Sequence, residues 1–362
     1  MFIYYVIFLI STLFVYIGEN KRCGKIETLL IWGMAVFIPA LMAGMRADTV
    51  GTDTSGYIKA IFRLCQNGVD WKVVVGAYQC EIGYYWINWV VSFFSDSFQI
   101  LLFILELLIL VPVLIACKDN NDLVDPHISY LFFLILFYNR SLNMCRQSIA
   151  ISFCMLSVIY IRKQDIRKFI LCIIPAILMH RISIVFIAVY FIFSLLKRRG
   201  KTIYKCILCV NTILMIVFYQ TIVKKLVLAG YISSRYLYYT NGGEQNISTI
   251  EFVTKIIFLI ATILASSYLN KKNQDNNIIL FFLIMDILIY SIGFYANYAQ
   301  RISYYIGFFV VFIIPQIPKC MKKNQRILGM TLLLILALTF SYYYYGISGC
   351  DGTVPYKIAN TI

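Results

Sequence analysis

Charge is scarce in this sequence. Only 14% of its 362 residues are Asp, Glu, Lys or Arg, against roughly 25% in a soluble domain. That scarcity excludes an ordinary water-soluble globule. It also excludes a disordered chain, which needs low hydrophobicity and high charge density. Histidine is scarcer still, with two in the whole chain, so a His-rich metal site is not available. No G-x-x-x-x-G-K-[ST] loop occurs, so the chain does not power itself with a bound nucleoside triphosphate. No stretch is long and polar enough for a separate soluble domain, which leaves 1–362 as a single polytopic membrane domain.

What remains is apolar. Hydrophobic residues make up 61% of the chain, and the mean hydropathy is +0.79. At about 20 residues per crossing, this length holds an all-α bundle of about ten to thirteen transmembrane helices and little else. Apolar runs lie near 2–17, 28–44, 82–95, 98–117, 127–138, 148–161, 169–180, 182–196, 203–223, 250–269, 278–296, 302–317 and 327–345. Several are too short for a straight span and read as tilted, broken or re-entrant. The first run is followed, not preceded, by Lys21 and Arg22. That order suits a retained first helix and not a cleavable signal peptide. Of eleven cysteines, Cys154, Cys172, Cys206 and Cys209 fall inside apolar runs and read as small buried hydrophobes.

The 32 basic and 17 acidic residues give a formal net charge of +15. The excess gathers in short clusters around Lys21–Lys25, Arg162–Lys168, Lys197–Lys201, Lys271–Lys272 and Lys319–Arg326. This is the positive-inside pattern of a multi-pass protein in a lipid bilayer, not a nucleic-acid footprint. With those clusters in the cytoplasm, loops 45–80 and 224–249, segment 139–147, the tip at His180-Arg181 and the turn Asn297–Arg301 all fall outside. Three apolar runs separate loop 45–80 from segment 139–147. An odd number cannot return the chain to the same side, so a non-crossing or re-entrant element is expected within 56–95.

Chemistry-bearing residues concentrate on that outer side. The segment from Arg46 to Tyr57 offers Asp48, Thr52 and Asp53 as partners for sugar hydroxyls, with Arg46 placed to hold a phosphate oxygen; the alternative is a Gly/Asp-rich turn with a snorkelling arginine. Glu81 opens the next helix, where it complements the dipole. Arg140 and Arg146 flank a polar bend before helix 148–161, with Gln147 beside them. They form either an anion site or a pair of interfacial anchors. His180, in an interrupted apolar stretch beside Arg181, is a candidate base, because the arginine keeps the imidazole neutral. Arg301 and Arg235 complete the outer set. Glu106 and Asp286 lie inside apolar runs, where a carboxylate is costly unless protonated or paired. They keep a transporter reading open. Several guanidiniums converging without metal ligands suit a lipid-linked diphosphate.

These residues resemble the EpsG family of Wzy-type polysaccharide polymerases over roughly 28–316. The resemblance rests on Arg46 through Gly51-Thr52-Asp53 to Tyr57, on Glu81-Ile82-Gly83-Tyr84, on Arg146-Gln147, on the basic stretch Arg162–Lys168, on His180 with Ser183, and on Arg301. Pro355-Tyr356 is similar as well. Ile82 stands where the family has proline, Cys145 where methionine is common, and Arg181 where a small residue is expected. The resemblance implies joining of oligosaccharide repeat units carried on undecaprenyl diphosphate, as donor and acceptor, at the outer face of the bacterial cytoplasmic membrane. A chain-length regulator is an implied partner, and no cofactor is required. The expected chemistry is metal-independent displacement with inversion. His180 or Asp53 acts as base, Arg46, Arg146, Arg181 and Arg301 hold the departing diphosphate, and Arg140, Gln147, Asp48, Thr52, Tyr57, Glu81 and Arg235 contact substrate. The competing readings are a flippase for the same lipid-linked unit and an O-antigen ligase.

Overall fold

Long apolar runs with capped ends dictate most of the architecture. In the computed structural model, which describes residues 1–19, 24–199, 202–230, 237, 247–296 and 298–359, the described chain is helical and contains no strand. Helix α1 (Phe2–Gly18) is followed by α2 (Lys25–Met45). At the start of α2 the Glu27 carboxylate accepts from the Gly24 N–H at 2.9 Å, completing a capping box. Six helical segments among the described residues are long and apolar enough to cross a membrane: Lys25–Met45, Phe98–Asp119, Thr249–Lys272, Asp275–Phe294, Ala299–Cys320 and Lys323–Ile347. A seventh is the pair Thr202–Val217 and Tyr219–Leu228, bent by 67° at its break. The protein is a polytopic helical membrane protein.

The shorter runs form shorter helices. Loop 45–80 is not open coil. A single π-type turn over Thr54–Lys59 leads into α3 (Ala60–Gln66), and α4 (Trp71–Tyr78) follows, capped by Asp70, which accepts from the Lys72 N–H at 2.8 Å. Next comes α5 (Ile82–Phe94). At 1.5 Å per residue even α5 is only about 20 Å long, less than the roughly 30 Å hydrocarbon core.

The chain groups into two compact units, Met1–Ile184 with Met330–Ile362, and Val185–Gly329. In the first unit, α2 packs between α1 and α6 (Phe98–Asp119), and α6 packs on α7 (Pro126–Asn143) and α8 (Cys145–Leu156). Tyrosine hydroxyls tie these helices through backbone carbonyls. Tyr138 donates to Pro39 O at 2.6 Å and Tyr345 to Leu136 O at 2.8 Å. Pro39 inside α2 removes the helical N–H that Ala35 O would accept; Ala35 O instead accepts from Ser11 Oγ and from the Tyr130 hydroxyl, the latter at 3.3 Å. In this unit α9 (Val158–Lys163) and α10 (Ile166–Met179) complete the helical layer. His127 is held at the start of α7 by the Glu19 carboxylate, 2.8 Å from its Nδ1.

The second unit contains α11 (Val185–Arg199), α12 (Thr202–Val217), α13 (Tyr219–Leu228), α14 (Thr249–Lys272) and α15 (Asp275–Tyr290). Phe193, Phe282 and Phe309 stack in its core. Asn276 and Gln316 exchange amide hydrogen bonds at 3.2 and 2.9 Å. Asp286 meets Lys255 at 2.6 Å, and Glu251 accepts from the Tyr290 hydroxyl at 3.1 Å.

Candidate active site

The first unit brings many of the expected residues together. The polar bend falls at Met144, between α7 and α8, not across 139–147. Asn139, Arg140 and Asn143 occupy the last turns of α7, and Arg146 and Gln147 the first turn of α8. That places Arg146 over the mouth of α5. Its Nη1 lies 2.6 Å from Glu81 Oε2. The guanidinium also sits 4.5 Å from the centre of the Tyr57 ring and 5.7 Å from that of Tyr84, which is cation–π distance.

Glu81 has a second task. Its other oxygen accepts from the backbone N–H of Arg181 at 3.1 Å. One carboxylate therefore joins α5, α8 and the break after α10. Gly83 permits the approach, since a Cβ there would lie 2.7 Å from Leu178 O. The break itself is real: α10 ends at Met179, His180 is extended, and a short 3-10 turn runs over Arg181–Ile184. His180 is half-buried and the Arg181 side chain is exposed. Burial pushes the Tyr57 phenol above its ordinary range; Arg146 opposes the shift, and Cys80, Glu81 and Asp53 reinforce it. Tyr57 thus stays a neutral hydroxyl, within electrostatic reach of Arg146, Glu81 and Asp53.

The Asp53 loop is fixed from beneath by Asn143. Its Oδ1 accepts from Thr52 Oγ1 at 3.0 Å and from the Asp53 N–H at 2.8 Å. Gly51, at φ +96°, makes the turn that presents them. Asp53 is half-buried, and its carboxylate makes no hydrogen bond among the described residues. Asp48 points elsewhere and is paired with Lys59.

Arg46 does not open onto this cluster. It is 1% exposed, and its two terminal nitrogens donate to Ala43 O at 2.9 Å and Leu142 O at 2.8 Å. The guanidinium donates to carbonyls at two buried helix ends; Leu142 O also accepts weakly from Cys145 Sγ at 3.7 Å. Arg46, expected at a diphosphate, is placed here as a tie between α2 and α7. Arg140 is likewise buried, 3.9 Å from Asp351 and 5.3 Å from the Tyr344 ring centre. Gln147 is buried as well. In the second unit, Arg301 lies over the Tyr298 ring at 4.5 Å. Arg235 falls outside the described residues, as does most of loop 224–249. Cys206, read as a buried hydrophobe, is exposed, and Cys209 is half-buried; Cys154 and Cys172 are buried as read.

The sequence reading missed the contribution of the chain's last residues. Gly51 N–H donates to Gly352 O at 2.9 Å, Thr52 N–H to Asp351 O at 3.2 Å, and Ala47 N–H to Lys357 O at 2.8 Å. Asn139 donates to Thr353 Oγ1 at 3.1 Å, and Tyr356 to Met42 O at 2.8 Å. The only signal was the Pro355-Tyr356 pair. No local pattern links positions about 300 residues apart.

The profile of the EpsG family matches residues 29–358, nearly the whole chain and including every element of this site. The chain belongs to the EpsG family. That family comprises Wzy-type polysaccharide polymerase-like proteins, so the chain is a Wzy-like, glycosyltransferase-type membrane protein. The EpsG match extends past the expected boundary near 316 and takes in the tail that packs on the Asp53 loop. Comparison with curated proteins and with solved structures gave no match.

Proposed function

We propose that this EpsG-family protein joins oligosaccharide repeat units carried on undecaprenyl diphosphate into a surface polysaccharide, at the outer face of the cytoplasmic membrane. The observation that carries the reading is the bridge made by Glu81. It holds the Arg146 guanidinium on two tyrosine rings and fixes the backbone one residue after His180. A cation held in this way is pre-positioned for charge that develops on a leaving diphosphate. Exposed Arg181 adds a second guanidinium at the same break.

In the reaction, the hydroxyl oxygen of the incoming lipid-linked unit attacks the anomeric carbon of the growing chain. The new C–O bond forms on the face opposite the departing oxygen, so the configuration inverts. The anomeric C–O bond to the diphosphate breaks, and undecaprenyl diphosphate leaves with the electron pair. The acceptor proton goes to His180 or to Asp53 as base. Arg146 and Arg181 stabilise the leaving group. Thr52 orients sugar hydroxyls and the Tyr57 ring holds the Arg146 guanidinium, while Arg46, Arg140 and Asp48 hold the frame. The energy comes from the glycosyl diphosphate, and no cofactor takes part. The growing chain's length is set with a separate regulator protein.

A transporter reading leaned on unpaired carboxylates in apolar helices. Glu106 instead accepts from Ser141 Oγ at 2.8 Å, and Asp286 is paired with Lys255, so neither carboxylate stands without a partner in the described fold. The test is reconstitution of purified protein with a lipid-linked repeat unit. A ladder of products with release of undecaprenyl diphosphate supports polymerisation. Transfer of unchanged substrate across the vesicle wall, with no ladder, overturns it.

A further inference from the structure

We infer that the C-terminal segment 350–359 is a working part of the site, and that Asn143 is the positioning residue through which it acts. The inference rests on the polymerase reading and deepens it. Asn143 lies at the last helical position of α7, where its side chain meets two separate stretches of chain. Its Oδ1 accepts from Thr52 Oγ1 and the Asp53 N–H, and its Nδ2 donates to Asp351 Oδ1 at 3.0 Å. The amide has only one orientation that works. A backbone N–H can only donate, and an ionised carboxylate can only accept. Asp351 therefore fixes which face of the amide meets the Asp53 loop. Asp351 is itself held beside Arg140, 3.9 Å away.

The backbone reinforces this arrangement. Asp351 O and Gly352 O accept from Thr52 and Gly51, so the tail lies along the loop that carries Asp53. Asp351, at φ +67°, and Gly352, at φ +62°, turn both carbonyls toward that loop. A Cβ at Gly352 would come within 2.9 Å of Thr52 Cγ2, so the contact leaves no slack. Positioning of this precision matters for glycosyl transfer, because a displacement of about 1 Å at a reacting group can cost roughly 100-fold in rate. Asn143 and Asp351 need not touch substrate. They decide where Asp53 and Thr52 stand when substrate arrives.

The test exchanges the two side chains in the full-length protein. Asn143→Asp sets a carboxylate against Asp351, while Asp351→Asn alone still offers Asn143 a carbonyl oxygen. The double exchange N143D/D351N restores all three hydrogen bonds. The carboxylate introduced at position 143 accepts from Thr52, from Asp53 and from the amide introduced at position 351. Chain-extension rates are measured per molecule on monodisperse detergent-purified protein, with membrane abundance recorded alongside. The expected result is a fall of at least about tenfold for N143D, recovery to within about threefold of wild type for the double exchange, and a smaller effect for D351N. An N143D rate close to wild type overturns the inference. So does a loss that the double exchange leaves in place, or one that follows abundance alone. Wild-type protein that extends no chain would instead sink the polymerase reading, so the two failures are told apart.

Discussion

Glu81 Oε2 lies 2.6 Å from Arg146 Nη1, while the other oxygen of Glu81 accepts from the Arg181 backbone at 3.1 Å. The ion pair is thus also a joint between α5, α8 and the break at His180. Glu81→Ala should leave Arg146 uncompensated and the Arg181 N–H unpartnered. The cost is about 2 kcal/mol, below the 3–5 typical of a fully buried pair because Arg146 keeps some exposure. Glu81→Gln keeps an acceptor for the Arg181 N–H and should lose less. Thermal unfolding of the detergent-purified variants, read beside chain-extension rate, checks the order wild type, Gln, Ala.

Tyr57 presents its ring, more than its hydroxyl, to Arg146. The hydroxyl reaches Tyr78 O only at 3.4 Å, whereas the ring centre lies 4.5 Å from the guanidinium. Tyr57→Phe should therefore cost less than about threefold in rate, and Tyr57→Leu about tenfold, matching a cation–π contribution of roughly 1–2 kcal/mol. Equal losses from both would move the function to the hydroxyl.

Arg146→Lys is not a conservative change here. Lysine keeps the charge but loses the planar fork that stacks on Tyr57 and Tyr84 while bonding Glu81. Polymer formation per molecule of membrane-inserted protein should fall by at least about tenfold with Lys and by roughly 100-fold with Ala. Restoration of full chain length by Lys would reduce Arg146 to a point charge.

Arg46 should behave in the opposite way. Its removal takes the guanidinium donor from Ala43 O, at about 1–3 kcal/mol, and leaves Leu142 O with only the weak Cys145 thiol donor. Arg46→Ala is expected to lower membrane abundance severalfold while the surviving molecules keep a near-normal rate. A normal abundance with a lost rate would return Arg46 to the diphosphate.

The membrane character, the helical class and the position of the His180 break were all legible from hydropathy and from charge placed against it. Arg146, Glu81 and Tyr57 were legible as residues that need partners, because a polar group beside an apolar run needs a reason to be there, and the fold brings the three together. What was not legible was direction. Nothing local distinguishes Arg46, which turns into carbonyls, from Arg146, which stacks on rings. The bend was displaced for a similar reason: Asn139 to Asn143 looked like a polar loop, yet they face the tail at 351–353, a partner supplied from about 200 residues away. The carboxylates Glu106 and Asp286 were recognised as costly, but their partners Ser141 and Lys255 lie on other helices.

The most direct measurement is the length of the surface polysaccharide in a strain lacking this gene, resolved on a gel after rescue with wild type, His180→Ala or Arg146→Ala. The account predicts single repeat units in the deleted strain, a full ladder with wild type, and no ladder with Arg146→Ala or His180→Ala at equal protein level. Loss of all surface polysaccharide, with lipid-linked units accumulating inside the cell, would contradict it, as would a full ladder from both variants.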